Sequence, residues 1–136
     1  MAGGLQFSVR TERRGRVHRL TPFGELDIAT APVLQEAFET VFNDGETEII
    51  VVDLTELAFI DSSGVRLLLN MDAVCKHAGR LRVINGSPAV ERLLDIVGVR
   101  PRLPIIRADA DPLAPLQPPP GPARAAAPGR YKRPER

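Results

Sequence analysis

The residues whose types and spacing could do chemistry are two adjacent serines, Ser62 and Ser63, preceded by an acid, Asp61, and followed by Gly64. One chemistry open to such a turn is local. At a helix start, a Ser or Asp oxygen accepts hydrogen bonds from amides that would otherwise lack partners. The other is acceptance of a phosphoryl group, because an exposed hydroxyl there sits beside amide donors and a field that favours negative charge. A phosphate would add roughly two negative charges beside Asp61 and act as a local switch. No histidine occupies a motif position from which to deprotonate Ser62, and no base, oxyanion loop or metal cluster accompanies it, so the chain reads as non-catalytic and without a cofactor of its own.

The elements around that turn follow from periodicity. Residues 7–13 and 16–23 alternate in character and read as a hairpin turning at Arg14-Gly15. Pro22 is expected to limit pairing at the end of the second strand, and Gly24 to turn the chain into Glu25-Leu26-Asp27. Thr30-Ala31-Pro32 has the form of a helix start, with Thr30 as cap, and the helix runs to about Phe42 with Leu34, Phe38, Val41 and Phe42 on one side. Ile49-Ile50-Val51-Val52 reads as a central strand covered on both faces. The second helix starts at the serine turn and ends near Gly79, with Val65, Leu67, Leu68, Leu69, Met71, Val74 and Cys75 on its apolar face. Leu81–Ile84 is the next strand. Ser87 caps a third helix bearing Val90, Leu93, Leu94 and Val97, and Leu103–Ile106 is a weak edge strand. This order predicts an α/β fold, a mixed sheet with an N-terminal hairpin and flanking helices.

Composition bounds the rest. A chain of 136 residues suits one domain, assigned to residues 1–107. Residues 108–136 hold eight prolines and few large apolar side chains, which predicts an extended or disordered Pro/Ala/Arg-rich tail. No segment approaches a membrane span and the N-terminus lacks secretory features, so the expected location is the cytoplasm. Cys75 cannot form an internal disulfide and, with only His18 and His77, provides too few ligands for zinc. Residues 1–107 carry 13 Lys+Arg and 14 Asp+Glu, and the chain is poor in aromatics, which argues against direct nucleic-acid binding. Within that span residues 25–61 hold ten acids and no Lys or Arg, whereas Arg10, Arg13, Arg14, Arg16 and Arg19 concentrate bases before it. Such polarity either steers a partner or marks two solvated surfaces. There is no glycine-rich phosphate loop, which argues against nucleotide binding by the chain itself.

Gly24-Glu25-Leu26-Asp27, Val52-Asp53-Leu54-Thr55, Phe59-Ile60-Asp61-Ser62-Ser63-Gly64 and Ser87-Pro88-Ala89-Val90 occur in that order over about residues 5–106. Together they resemble the STAS family, especially bacterial anti-sigma factor antagonists. The resemblance implies a four- or five-stranded sheet flanked by helices, with the serine turn exposed at the start of the second helix. It also implies partner switching. The unphosphorylated antagonist binds an anti-sigma factor that is an ATP-dependent serine kinase, the kinase phosphorylates Ser62, with Ser63 the competing acceptor, and a serine phosphatase reverses the step. Asp27, Asp61, Ser62, Ser63 and Gly64 would form the partner-binding surface, Gly64 by letting a partner backbone approach. Asp27 could equally bond local amides, and Asp53 reads as an acid orienting the turn after its strand. The alternative within the same fold is a non-phosphorylated STAS scaffold or regulatory subunit of a signalling or transport complex.

Overall fold

The computed structural model describes residues 6–75, 79–114 and 116. Strands β1 (Ser8–Arg14) and β2 (Val17–Leu26) form the antiparallel hairpin. Helix α1 (Ala31–Phe42) follows, then β3 (Ile49–Asp53), a 3-10 turn at Leu54–Glu56, β4 (Leu57–Ile60), helix α2 (Ser62–Cys75), β5 (Leu81–Ile84), helix α3 (Pro88–Ile96), a second 3-10 turn at Arg100–Arg102 and the two-residue strand β6 (Ile105–Ile106). The sheet order is β1-β2-β3-β5-β6, with β4 also paired to β2 and every pairing after the hairpin parallel. The mixed α/β architecture is therefore as expected, but with six strands rather than four or five, because β4 and the short β6 both join the sheet.

The second strand departs from its expected end. Pairing runs straight through Pro22 and Gly24 to Leu26. Residues 17–20 of β2 pair with β3 and residues 24–26 pair with β4, so Pro22 falls where one parallel partner has ended and the next has not begun, and its missing N–H breaks neither ladder. Gly24 does not end the strand but shifts its register at the change of partner. Its φ of 103° is open to glycine, and a Cβ there would lie 3.2 Å from the Phe7 Cα. Thus β2 is a spine, and β3 and β4 are two collinear partners along it.

Helices α1 and α2 cover one face of the sheet. Leu34, Phe38 and Val41 of α1 and Val65, Leu68 and Met71 of α2 join Leu20, Leu26, Ile50 and Val52 in the main core. Ile49, Val51 and Ile84 form a smaller cluster with Val17 and Ile106. β3 is buried at every residue, as its unbroken β-branched run requires. The apolar stripes are narrower than the sequence pattern: Phe42 and Leu69 are half-buried, while Val74 and Val97 are exposed. Ser87 caps α3 as expected, accepting from the Val90 amide at 3.4 Å. Beyond Arg107, Ala110 N–H bonds Arg107 O and Ala114 N–H bonds Asp111 O, so the first residues assigned to the tail form consecutive turns. Asp109 and Asp111 anchor those turns, through Arg107 and the Leu113 amide respectively. The rest of the expected tail, residues 115 and 117–136, lies outside the described residues, as do residues 76–78, which lead to the expected end of α2 near Gly79.

Candidate functional site

The serine turn sits where β2 and β4 end side by side. Leu26 pairs with Ile60, and the Asp61 amide donates to Leu26 O at 3.1 Å, which brings the Asp27 turn next to the Asp61 turn. Both turns are organised by their acids. Asp61 Oδ1 accepts from the Ser63 amide at 2.8 Å and the Gly64 amide at 3.2 Å, and so caps α2. Asp27 Oδ1 accepts from the Ala29 and Thr30 amides at 3.0 and 3.1 Å. Thr30, expected to cap α1 with its side chain, instead donates its hydroxyl to Glu25 O at 2.8 Å and accepts from the Asp27 amide at 2.9 Å. The amides that a Thr30 cap would take are not free: Pro32 has no N–H, and the Val33 amide donates to Thr30 O at 2.9 Å.

Because Asp61 performs the capping, neither serine does. Ser62 is exposed and Ser63 half-buried, and neither hydroxyl bonds another described residue. Each aspartate engages local amides through one oxygen only, so Asp27 Oδ2 and Asp61 Oδ2 make no hydrogen bond with described residues. Gly64 has a different place from the one expected. It is buried, and a Cβ there would stand 2.6 Å from Ile60 Cγ1 and 2.9 Å from Leu26 Cδ2. The close approach that needs glycine is thus internal: it seats the first turn of α2 on the Leu26–Ile60 pair.

Asp53 does orient its turn, accepting from the Thr55 amide at 2.9 Å and hydroxyl at 2.6 Å, with Arg19 at 3.3 Å from its other oxygen. His18 lies near the start of β2, paired with Arg13, at the far end of that strand from the serine turn; His77 lies outside the described residues. Burial pushes the Cys75 thiol up, with Asp72 adding to the rise and Arg80 opposing it, which keeps it a neutral core group. Among the described residues no helix is long and apolar enough to cross a membrane, and no cluster of three His, Cys, Asp or Glu could hold a metal ion.

An exposed apolar residue, a shallow groove and an exposed cation beside the turn were not assigned a role from sequence. Ile28, next to Asp27, is 76 % exposed. Phe59, Ile60, Leu93 and Ile96 line a shallow apolar groove between β4 and α3, with Arg92 at its edge. Arg66, one turn after Ser62, is exposed. Ile28 is an isolated apolar residue that only the direction of its turn converts into surface, whereas Phe59 belongs to the apolar run Leu57-Ala58-Phe59-Ile60, and only the strand direction shows that it faces out.

The fold and this turn define a STAS domain, and residues 8–111 match that family; the chain belongs to it. Among its relatives is the anti-sigma F factor antagonist of Paenibacillus polymyxa, 30 % identical over 114 residues that cover 83 % of this chain and 96 % of the relative. Among solved structures, an anti-sigma factor antagonist from Mycobacterium paratuberculosis superposes with a TM-score of 0.67 at 25 % identity, covering 74 % of this chain and 85 % of that one. The anti-sigma factor antagonist SpoIIAA in its unphosphorylated form gives 0.61 at 28 % identity, covering 75 % and 90 %. The same determinant from Bacillus in its phosphorylated form gives 0.57 at 25 %, covering 75 % and 94 %.

Proposed function

We propose that this chain is an anti-sigma factor antagonist acting in the cytoplasm. With Ser62 unmodified it binds an anti-sigma factor that is an ATP-dependent serine kinase, and so frees a sigma factor. Phosphorylation of Ser62 by that kinase switches it off, and a serine phosphatase restores it. The observation that carries this reading is the division of labour in the turn: Asp61 takes the capping bonds and leaves an exposed, uncommitted hydroxyl on Ser62. Relatives over most of the chain are anti-sigma factor antagonists, one of them seen both with and without phosphate. ATP, magnesium and the catalytic groups belong to the kinase; this chain supplies the acceptor.

The same geometry gives the switch its physics. A neutral hydroxyl between two aspartates can be covered by a partner, and the free carboxylate oxygens of Asp27 and Asp61 can take charge-assisted bonds from a cationic group on it. A phosphate on Ser62 must be desolvated in that contact and crowds both acids. About 1.4 kcal/mol of that penalty lowers affinity tenfold. Ser63, half-buried, is the lesser acceptor, and Gly64 contributes by fixing where the turn sits. Residues 1–107 suffice for this function, with 108–136 an appendage.

Affinity capture from extract of the source cells, in magnesium and ADP, tests the reading with wild-type and Ser62→Asp baits. Recovery of a serine-kinase-type anti-sigma factor by the wild type alone is expected. Recovery of the same signalling or transport assembly by both baits would overturn it in favour of a non-phosphorylated STAS scaffold.

A further inference from the structure

Arg66 lies four residues after Ser62 in α2, so helix geometry places the two side chains on one face about one turn apart. Both are exposed. The Arg66 guanidinium makes no hydrogen bond or ion pair with any described residue, in contrast to Arg13, Arg16 and Arg19, each of which meets a carboxylate. An acid N-terminal to a base at this spacing is the favoured order on a helix, and a guanidinium fork matches two oxygens of a phosphate. The end of α2 offers little else to such a group. The Ser63 and Gly64 amides are already held by Asp61, and the carboxylates of Asp61 and Asp27 repel added negative charge.

We propose that Arg66 is the internal counter-ion of phosphorylated Ser62: a latch that draws the phosphate along the face of α2 and offsets the repulsion from Asp61 and Asp27. This rests on the reading of Ser62 as a phosphoryl acceptor and adds a residue that stabilises the modified state. In the unmodified protein Arg66 is an exposed cation with no partner among the described residues, and its partner arrives with the modification. Arg66 is thus a positioning residue for the phosphate, distinct from the acids that shape the turn.

The test uses the full chain with phosphoserine placed at position 62 by genetic encoding, so that no kinase is needed. Phosphorus NMR across pH reads the second ionisation of the phosphate in the wild type, Arg66→Gln, Arg66→Lys and Arg92→Gln. A neighbouring cation favours the dianion and lowers that pKa; the wild type should lie about 0.3 pH unit below Arg66→Gln, with Arg66→Lys between them. The Arg66 side-chain Nε–H resonance should also move when the phosphate is installed. Equal phosphate pKa values in the wild type and Arg66→Gln would overturn the proposal, as would an equal rise in Arg92→Gln, which would assign the effect to the surrounding field. Either failure leaves the kinase reading standing, and loss of the kinase reading leaves this measurement valid.

Discussion

The two ends of β2 differ in how their charged groups are met. At the hairpin end Arg13 meets Glu46 at 2.7 Å and Asp44 at 3.6 Å, Arg16 meets Glu48 at 3.4 Å, and Arg19 meets Asp53 at 3.3 Å. Three of the five bases that cluster early in the sequence, Arg13, Arg16 and Arg19, are therefore answered by acids that cluster later, across neighbouring strands and loops. At the other end Asp27 and Asp61 hold their turns with one oxygen each, the second oxygens and the two serine hydroxyls bond no described residue, and Ser62 and Ile28 are exposed. A charged surface whose groups satisfy one another is structural. One with groups that bond no other described residue suits the partner-binding role proposed above.

Substitutions that break this contrast should do so in order of how deeply they reach. Gly64→Ala forces a Cβ into Leu26 and Ile60, overpacking of the kind that costs roughly 1–3 kcal/mol, so thermal denaturation should show the largest loss of stability here and partner binding should fall with it. Ser62→Asp should leave folding unchanged, since the hydroxyl makes no bond with described residues, yet reduce affinity for the kinase by about tenfold or more in isothermal titration. Asp61→Ala removes the cap of α2 and should cost about 1 kcal/mol in urea unfolding. At the hairpin end Arg16→Ala breaks an ion pair whose side chains are 75 % and 53 % exposed, and should change stability by less than about 0.5 kcal/mol and affinity not at all.

The smallest effect is a pH dependence confined to the hairpin end. The Glu46 amide, followed by Arg13 and His18, holds the Asp44 carboxyl below its ordinary value of 3.8, with desolvation opposing. A depressed folded-state pKa contributes stability that is present above the unfolded value and lost as pH falls through the folded one. Asp44→Asn should therefore melt below the wild type at neutral pH and converge with it in acid.

Much of this was legible before the structure. The unbroken run at 49–52 gave a strand buried on both faces, and Ser87-Pro88 gave a helix start, because in each the local preference and the tertiary environment agree. The serine turn was legible as a place, but not in its division of labour. Sequence shows that Asp61, Ser62 and Ser63 can all cap, and only the backbone path shows that Asp61 does. β2 was misjudged because Pro22 and Gly24 are stop signals in an ordinary strand; here they fall at the handover between β3 and β4, which is a fact about three strands at once. Gly64 was read as room for a partner because its true neighbours, Leu26 and Ile60, are separated in sequence and joined only by the β2–β4 pairing.

The most direct measurement is to incubate the captured kinase with magnesium-ATP and the wild type, Ser62→Ala or Ser63→Ala, and to map the phosphate by peptide mass spectrometry. Phosphate on Ser62 of the wild type and of Ser63→Ala, with none on Ser62→Ala, is the predicted result. Modification that persists in Ser62→Ala and moves to Ser63, or no modification of any of the three, would contradict the assignment of Ser62 as the uncommitted acceptor on which the switch depends.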